Sequence, residues 1–182
     1  MTSMMIFKNN FMLAVFIASL LSTSVIQANQ SPTLSDKTLS VAFEWNEKVF
    51  NAGQAEQCMN WTRTVLSAAC GDQFNRLQSQ QPWDFHLLGE NETVAPHHAD
   101  SLASEEFGTR IHSVADTQPG DLVFLKNTYG DWQEEVITHV GIATGNGEYI
   151  HRMTSNKGVV KVQPIPVEDF SGAIRLDPTL CR

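Results

Sequence analysis

From Gln118 to Leu176 the chain is written in short apolar runs and tight turns, and this tail constrains the fold more than any other segment. Gln118-Pro119-Gly120-Asp121 is a turn, Leu122-Val123-Phe124-Leu125 a strand, and Asn127 to Asp131 a hairpin tip. Val136 to Thr144 forms a second strand. It runs into Gly145-Asn146-Gly147, a turn whose residues accept positive φ and so favour a hairpin. Tyr149 and Ile150 lead the returning strand to His151, and Val159–Val162 and Gly172–Leu176 supply two more. Strands joined by connections this short pair antiparallel, because a parallel pair needs a long crossover.

The preceding segment carries helical periodicity instead. Val41, Trp45 and Val49 recur every four positions with Ala42 and Phe50 beside them, which predicts an amphipathic helix ending near Gly53. A second helix is predicted from Gln54–Gln57, with Cys58, Trp61, Thr62, Val65, Leu66 and Ala69 on one stripe and Gly71 placed to end it. Helices first and an antiparallel sheet of about five strands afterwards predict an α+β domain over 41–182. Residues 29–40 read as a polar lead-in. Residues 72–117, polar and broken by Pro82 and Pro96, read as a long insertion of loops, with a short helix near Phe74–Leu77 and a helical turn around Asp100–Phe107.

Residues 1–28 read as a secretory signal: Lys8 is the only charge, Phe11 to Leu21 is an apolar run, and Ala28 suits cleavage before Asn29. The run is shorter than the roughly 20 apolar residues of a membrane span, so no stable membrane insertion is expected after cleavage. Export predicts a secreted or periplasmic protein. The 12 basic against 20 acidic residues give the wrong field for binding nucleic acid.

Export also places Cys58, Cys70 and Cys181 in an oxidising compartment, where cysteines tend to pair. Twelve helical residues hold Cys58 and Cys70 about 18 Å apart, beyond the reach of a disulfide. Cys70–Cys181 is therefore the expected bridge and Cys58 the expected free thiol. Three reduced cysteines are the alternative.

Cys58 in the first turn of a helix, with His139 and His151 on later strands, is the pattern that carries chemistry. Unpaired N–H groups and the positive end of the helix dipole stabilise a thiolate. A neighbouring imidazole moves the proton, and a further polar group orients that imidazole. His139 and His151 each lie six positions from Gly145, so a hairpin centred there sets them across from one another. Cys70, at the helix end, meets the unfavourable end of the dipole. His86, His97, His98 and Asp100 match no zinc spacing, and no metal or cofactor is expected. Arg152 is expected on the opposite face from His151, solvated. Asp121 reads as a turn residue, and Trp61 as either core or cleft wall.

These segments resemble the NlpC/P60 cysteine peptidases. The resemblance lies in Gln118-Pro119-Gly120-Asp121-Leu122-Val123-Phe124, Thr138-His139-Val140-Gly141-Ile142, Gly145-Asn146-Gly147-Glu148-Tyr149-Ile150-His151, Lys157-Gly158-Val159-Val160 and the closing Gly172-Ala173-Ile174-Arg175-Leu176. It implies a papain-like fold, hydrolysis of peptide bonds in peptidoglycan stem peptides, and a triad of Cys58, His139 and His151. Where that family usually has Asp-Cys-Ser-Gly, this chain has Gln57-Cys58-Met59-Asn60, similar on its Gln-Cys side to the related CHAP amidases. No Tyr precedes Cys58, which leaves the Cys58 N–H, alone or with Gln54 or Gln57, to face an oxyanion. A Cys-dependent acyltransferase or deamidase and an inactive secreted binding domain are the alternative functions. An immunity or inhibitor protein is the expected partner if the chain is a toxin.

Overall fold

Thr33 starts the first helix earlier than the apolar periodicity indicates. The computed structural model describes residues 31–51, 57–71, 99–130, 132, 135–153 and 156–181. In it α1 spans Leu34–Glu44, opened by a capping box in which Asp36 N–H donates to Thr33 Oγ1 (3.1 Å) and Thr33 N–H to Asp36 Oδ2 (2.9 Å). The latter half of the predicted lead-in is thus helix. The helix also stops short of Phe50, because residues 47–50 are drawn along a strand edge. There Glu47 N–H donates to Val160 O (2.9 Å), Val160 N–H to Lys48 O (2.8 Å) and Phe50 N–H to Gly158 O (3.0 Å). Those bonds replace the helical ones that the 41–50 periodicity predicts.

The second helix, α2, spans Gln57–Cys70 and buries Cys58, Trp61, Thr62, Val65 and Leu66, the predicted stripe, together with Met59. Gly71 ends it at φ +70°, its N–H bonded to Ser67 O at 2.7 Å. Six strands follow: β1 Gly108–Ile111, β2 Leu122–Lys126, β3 Ile137–Gly145, β4 Glu148–Arg152, β5 Val160–Pro164 and β6 Phe170–Leu176. They form one sheet in the order β1-β6-β2-β3-β4-β5, antiparallel at every pairing.

The sequence predicts about five strands, and the additional one is β1, within the segment read as loops. Four residues with no apolar alternation give no strand signal of their own. Tertiary contacts make the strand: Arg110 donates to Ala103 O (2.9 Å) and Ser171 O (2.7 Å), and a Cβ on Gly108 would run into the Arg175 carbonyl. The helical turn expected around Asp100–Phe107 is present as two short 3-10 turns, Ala99–Leu102 and Glu105–Phe107. The signal, Gln54, Phe74–Leu77, His86, His97 and His98 lie outside the described residues.

One face of the sheet, through Leu122, Phe124, Val140, Ile142 and Ile150, packs under the helices against Trp61, Val65 and Leu66. Trp61 is fully buried there, as core. The other face carries Val123, Leu125, Ala143, Tyr149 and Ala173. Asp121 is a buried turn residue: it accepts from Gln118 N–H (2.8 Å) and, through both oxygens, from Arg175 (3.1 and 2.9 Å).

Cys70 and Cys181 form a disulfide with Cα atoms 4.9 Å apart, and Cys58 is in no disulfide. The bridge spans a sequence separation of 111, and closing so long a loop removes up to about 4–5 kcal/mol of unfolded-state entropy in the chain-entropy model. Cys181→Ser is expected to lower the free energy of unfolding by about 2–4 kcal/mol in non-reducing denaturant titrations. The wild-type protein should lose a similar amount on addition of a reductant.

Candidate active site

Cys58 is the second residue of α2 and is buried, at 3% exposure. Helix α2 packs against β3 and β4. A negative charge at Cys58 acts on Tyr149 and Arg152, both on β4.

His139 on β3 and His151 on β4 are in direct contact: His139 Nε2 lies 2.7 Å from His151 Nδ1. The line continues to β5, where His151 Nε2 lies 2.8 Å from Gln163 Oε1. Each step spans 12 positions of sequence and one step across the sheet. The two histidines meet as the hairpin predicts, but in a different register. The strands pair Ile142 with Ile150 and Ala143 with Tyr149, and the register then shifts before Gly145 pairs with Glu148. The turn centres between Asn146 and Gly147 instead of on Gly145, and beyond the register shift the pairing lies two positions from the one centred on Gly145, so the imidazoles meet on a diagonal instead of directly across.

The diagonal needs Gly141. A Cβ at that position would lie 2.6 Å from Tyr149 Cδ2 and 2.8 Å from His151 Cβ. The vacated space lets Tyr149 stack on His151, with ring centroids 4.2 Å apart and planes at 11°. His139 stands perpendicular to both rings, at 89° in each case. A cleft of about 300 Å³ opens against this cluster, lined by Thr128, His139, Tyr149, His151, Gln163 and Asp169 among others. A larger hollow of about 840 Å³ beside the β3–β4 turn is lined by no titratable side chain.

Burial holds both imidazoles neutral. It pushes His139 down to about 3, helped by charge at His151 and Arg152. It pushes His151 down to about 4, against the opposing effect of the bond to Gln163. His139 Nδ1 is buried and has no hydrogen-bond partner among the described residues. Tyr149 is pushed upward by burial and by negative charge at Cys58 and Asp169, so its phenol stays protonated.

Arg152 differs from its expected solvated position. Its side chain does leave the face that His151 occupies, but it is 9% exposed, donating from Nε to Phe50 O (3.1 Å) and from its terminal nitrogen to Asn51 Oδ1 (2.7 Å). Gly158 leaves room for it, since a Cβ there would collide with the guanidinium. The strand alternation shows which face Arg152 takes but not that residues 50–51 cover it. Gln163 was likewise invisible as a site residue: a lone Gln near a strand end carries no signal, although it repeats the 139–151 spacing. Asp100 is buried in the Ala99–Leu102 turn. Among the described residues no group of three or more His, Cys, Asp or Glu is arranged to hold a metal ion.

Two outcomes follow from this packing. Gly141→Ala should destabilise the fold by about 1–3 kcal/mol, the usual cost of overpacking, measured by denaturant unfolding. It should also disturb the ring signals of both histidines in NMR spectra. The second outcome concerns pH. Unfolded imidazoles titrate near 6.5 and bind protons that the folded pair, at about 3 and about 4, refuses. Their stabilising contribution is therefore complete above about pH 6.5 and lost as the pH falls toward the folded values. Unfolding free energy should drop on acidification through this window, and the drop should be shallower in His151→Gln.

The fold resembles the NlpC/p60 domain of the peptidoglycan hydrolase SagA, at 21% identity over 78% of this chain and 98% of that one, with a TM-score of 0.48. NlpC2 from Trichomonas vaginalis aligns at 20% identity over 81% of this chain and 48% of its own, with a TM-score of 0.50. An NlpC/P60 family protein from Bacillus cereus aligns at 18% identity over 81% of this chain and 42% of its own, again at 0.50. The chain thus spans less than half the length of the latter two proteins. No curated protein matches it. The model of the NlpC/P60 family matches residues 43–170, which take in α2 with Cys58 and the strands that carry His139, His151 and Gln163. With most of its length covered by that match, the chain belongs to the NlpC/P60 family.

Proposed function

We propose that this protein is an exported cysteine peptidase or amidase that hydrolyses peptide bonds in peptidoglycan stem peptides, with Cys58 as nucleophile, His139 as base and His151 as the group that orients His139. The observation that carries the reading is the bonded pair of imidazoles, 2.7 Å apart on β3 and β4, in an NlpC/P60 chain whose free thiol sits in the first turn of the helix packed on those strands. Peptidoglycan peptides are the substrate class that the family resemblance implies. The Cys70–Cys181 disulfide supports export, since such bonds persist in oxidising compartments. Cleavage near Ala28 would release the 41–182 domain to the periplasm or the medium.

In this mechanism Cys58 Sγ attacks the substrate carbonyl carbon while its proton passes to His139 Nδ1. The oxyanion that forms lies at the α2 N-terminus, where the backbone N–H groups and the dipole stabilise it. The imidazolium returns the proton to the leaving amine as the C–N bond breaks, which leaves a thioester on Cys58. Water then attacks the thioester, giving up a proton to His139 Nδ1, and the carboxylate product departs with the thiol restored. Because burial keeps His139 neutral at rest, it acts as a general base instead of resting in a thiolate–imidazolium pair.

Digestion of purified muropeptides by residues 29–182, read by mass spectrometry, tests the proposal. Two fragments that together gain one water are expected. Cys58→Ala and His139→Ala should each lower the rate by about 10⁴-fold or more. Retention of an acyl adduct would point to a transferase. Loss of ammonia without chain cleavage would point to a deamidase. Absence of any turnover, with Cys58 inert to alkylation, would indicate a binding domain.

A further inference from the structure

We propose that Gln163 is a positioning residue that fixes the tautomer of both imidazoles and so decides which nitrogen of His139 is free to accept a proton; the inference deepens the Cys58–His139 reading and rests on it for its catalytic meaning. The argument is a count of hydrogens along one line. An amide oxygen has lone pairs and no hydrogen. The 2.8 Å contact between Gln163 Oε1 and His151 Nε2 is therefore a hydrogen bond only if Nε2 carries the proton. A neutral imidazole carries a single N–H, so His151 Nδ1 is then a lone pair. The 2.7 Å contact from that lone pair to His139 Nε2 needs a hydrogen on Nε2. His139 Nδ1 is left bare, and it is the one ring nitrogen of the pair that is buried without a hydrogen-bond partner.

If the line ended in a donor, every step would invert. His151 Nε2 would accept, its Nδ1–H would donate to His139 Nε2, and His139 would present an N–H where a lone pair is needed. A base in that tautomer cannot take the thiol proton, a fault that costs about 10⁴-fold in a serine peptidase whose orienting carboxylate is replaced by an amide. The side chain at 163 thus selects the working nitrogen from two bonds away. The line also stays consistent during reaction. When His139 Nδ1 gains the proton, Nε2–H still donates to His151 and no second proton has to move.

The amide acts here through its oxygen, which faces His151 Nε2; its nitrogen in that place would donate and invert the line. A charged acceptor would favour the protonated form of the rings and compete with the burial that keeps them neutral. Gln163 is also only half-buried, on the edge strand β5, and so is poorly placed to matter as packing.

The experiment is two-bond ¹⁵N–¹H NMR of the histidine rings in the full chain at neutral pH, with steady-state muropeptide kinetics on the same samples. Wild type is expected to show His139 and His151 each protonated at Nε2. Gln163→Met, close in size but without the acceptor, should give His151 as a mixture of tautomers. It should lower kcat about tenfold or more with KM little changed. Gln163→Glu restores an acceptor with no donor and should return both rings to the Nε2–H form. Unchanged tautomers in Gln163→Met, or a Gln163→Glu variant as mixed as the methionine one, would overturn the inference. The spectra read the relay whether or not muropeptides are cut. An inactive wild type with both rings protonated at Nε2 therefore overturns the hydrolase reading and upholds the role of Gln163.

Discussion

The 2.7 Å contact between His139 and His151 sets the requirements that the surrounding sheet has to meet. Two buried imidazoles can sit that close only if they are not both charged and one offers an N–H where the other offers a lone pair. Three local features meet this demand. The register shift at the β3–β4 turn sets the rings on a diagonal. The missing side chain of Gly141 opens the space between the strands. Tyr149, stacked on His151, fixes the plane of that ring and closes its face to water. None of the three is chemically reactive in the proposed mechanism, yet the geometry of the pair depends on each.

Burial has an electrostatic consequence for the nucleophile. An imidazole held near 3 contributes little positive charge at neutral pH and so does little to stabilise a thiolate at rest. The permanent cation near Cys58 is Arg152, whose guanidinium is stabilised by a Cys58 thiolate and, reciprocally, stabilises it. The same positive charge helps keep His139 unprotonated. Arg152 thus supplies positive charge toward Cys58 while burial keeps both imidazoles neutral, and the two effects come from separate groups.

Much of this was legible in the sequence, because the signals are local. The stripe from Cys58 to Leu66, the Gly71 stop, the Gly145–Gly147 turn and the strands flanking it are properties of neighbouring residues, and the structure keeps them. The cysteine pairing followed from helix rise together with the expectation of an oxidising compartment. The differences arose wherever long-range contacts override local preference. Residues 47–50 leave the helix to cover the edge of β5. Gly108–Ile111 become a strand through Arg110 and the close approach to Arg175. Arg152 is buried by the backbone of a distant segment. The start of α1 is a different case: the Thr33–Asp36 box is a short-range signal that the apolar periodicity alone passes over. Gln163 shows the limit in the site itself. Its spacing from His151 could be read, but its meaning depends on hydrogens that only the assembled line defines.

The nucleophile helix is tied to the sheet near both ends. At its C-terminus the Cys70–Cys181 bond joins α2 covalently to the segment that follows β6. Ahead of its N-terminus, Arg152 holds Phe50 O and Asn51 Oδ1, and residues 47–50 bond along β5. Arg152 is the immediate neighbour of His151, and β5 carries Gln163. The strands that carry the two imidazoles therefore also hold residues 47–51. Holding reacting groups in place before substrate arrives removes an entropic cost from the barrier, and rigid elements supply that hold better than loops do. The covalent bond thereby ties the C-terminal end of α2 to the chain after β6, while α2 itself packs on the strands that carry the line of side chains.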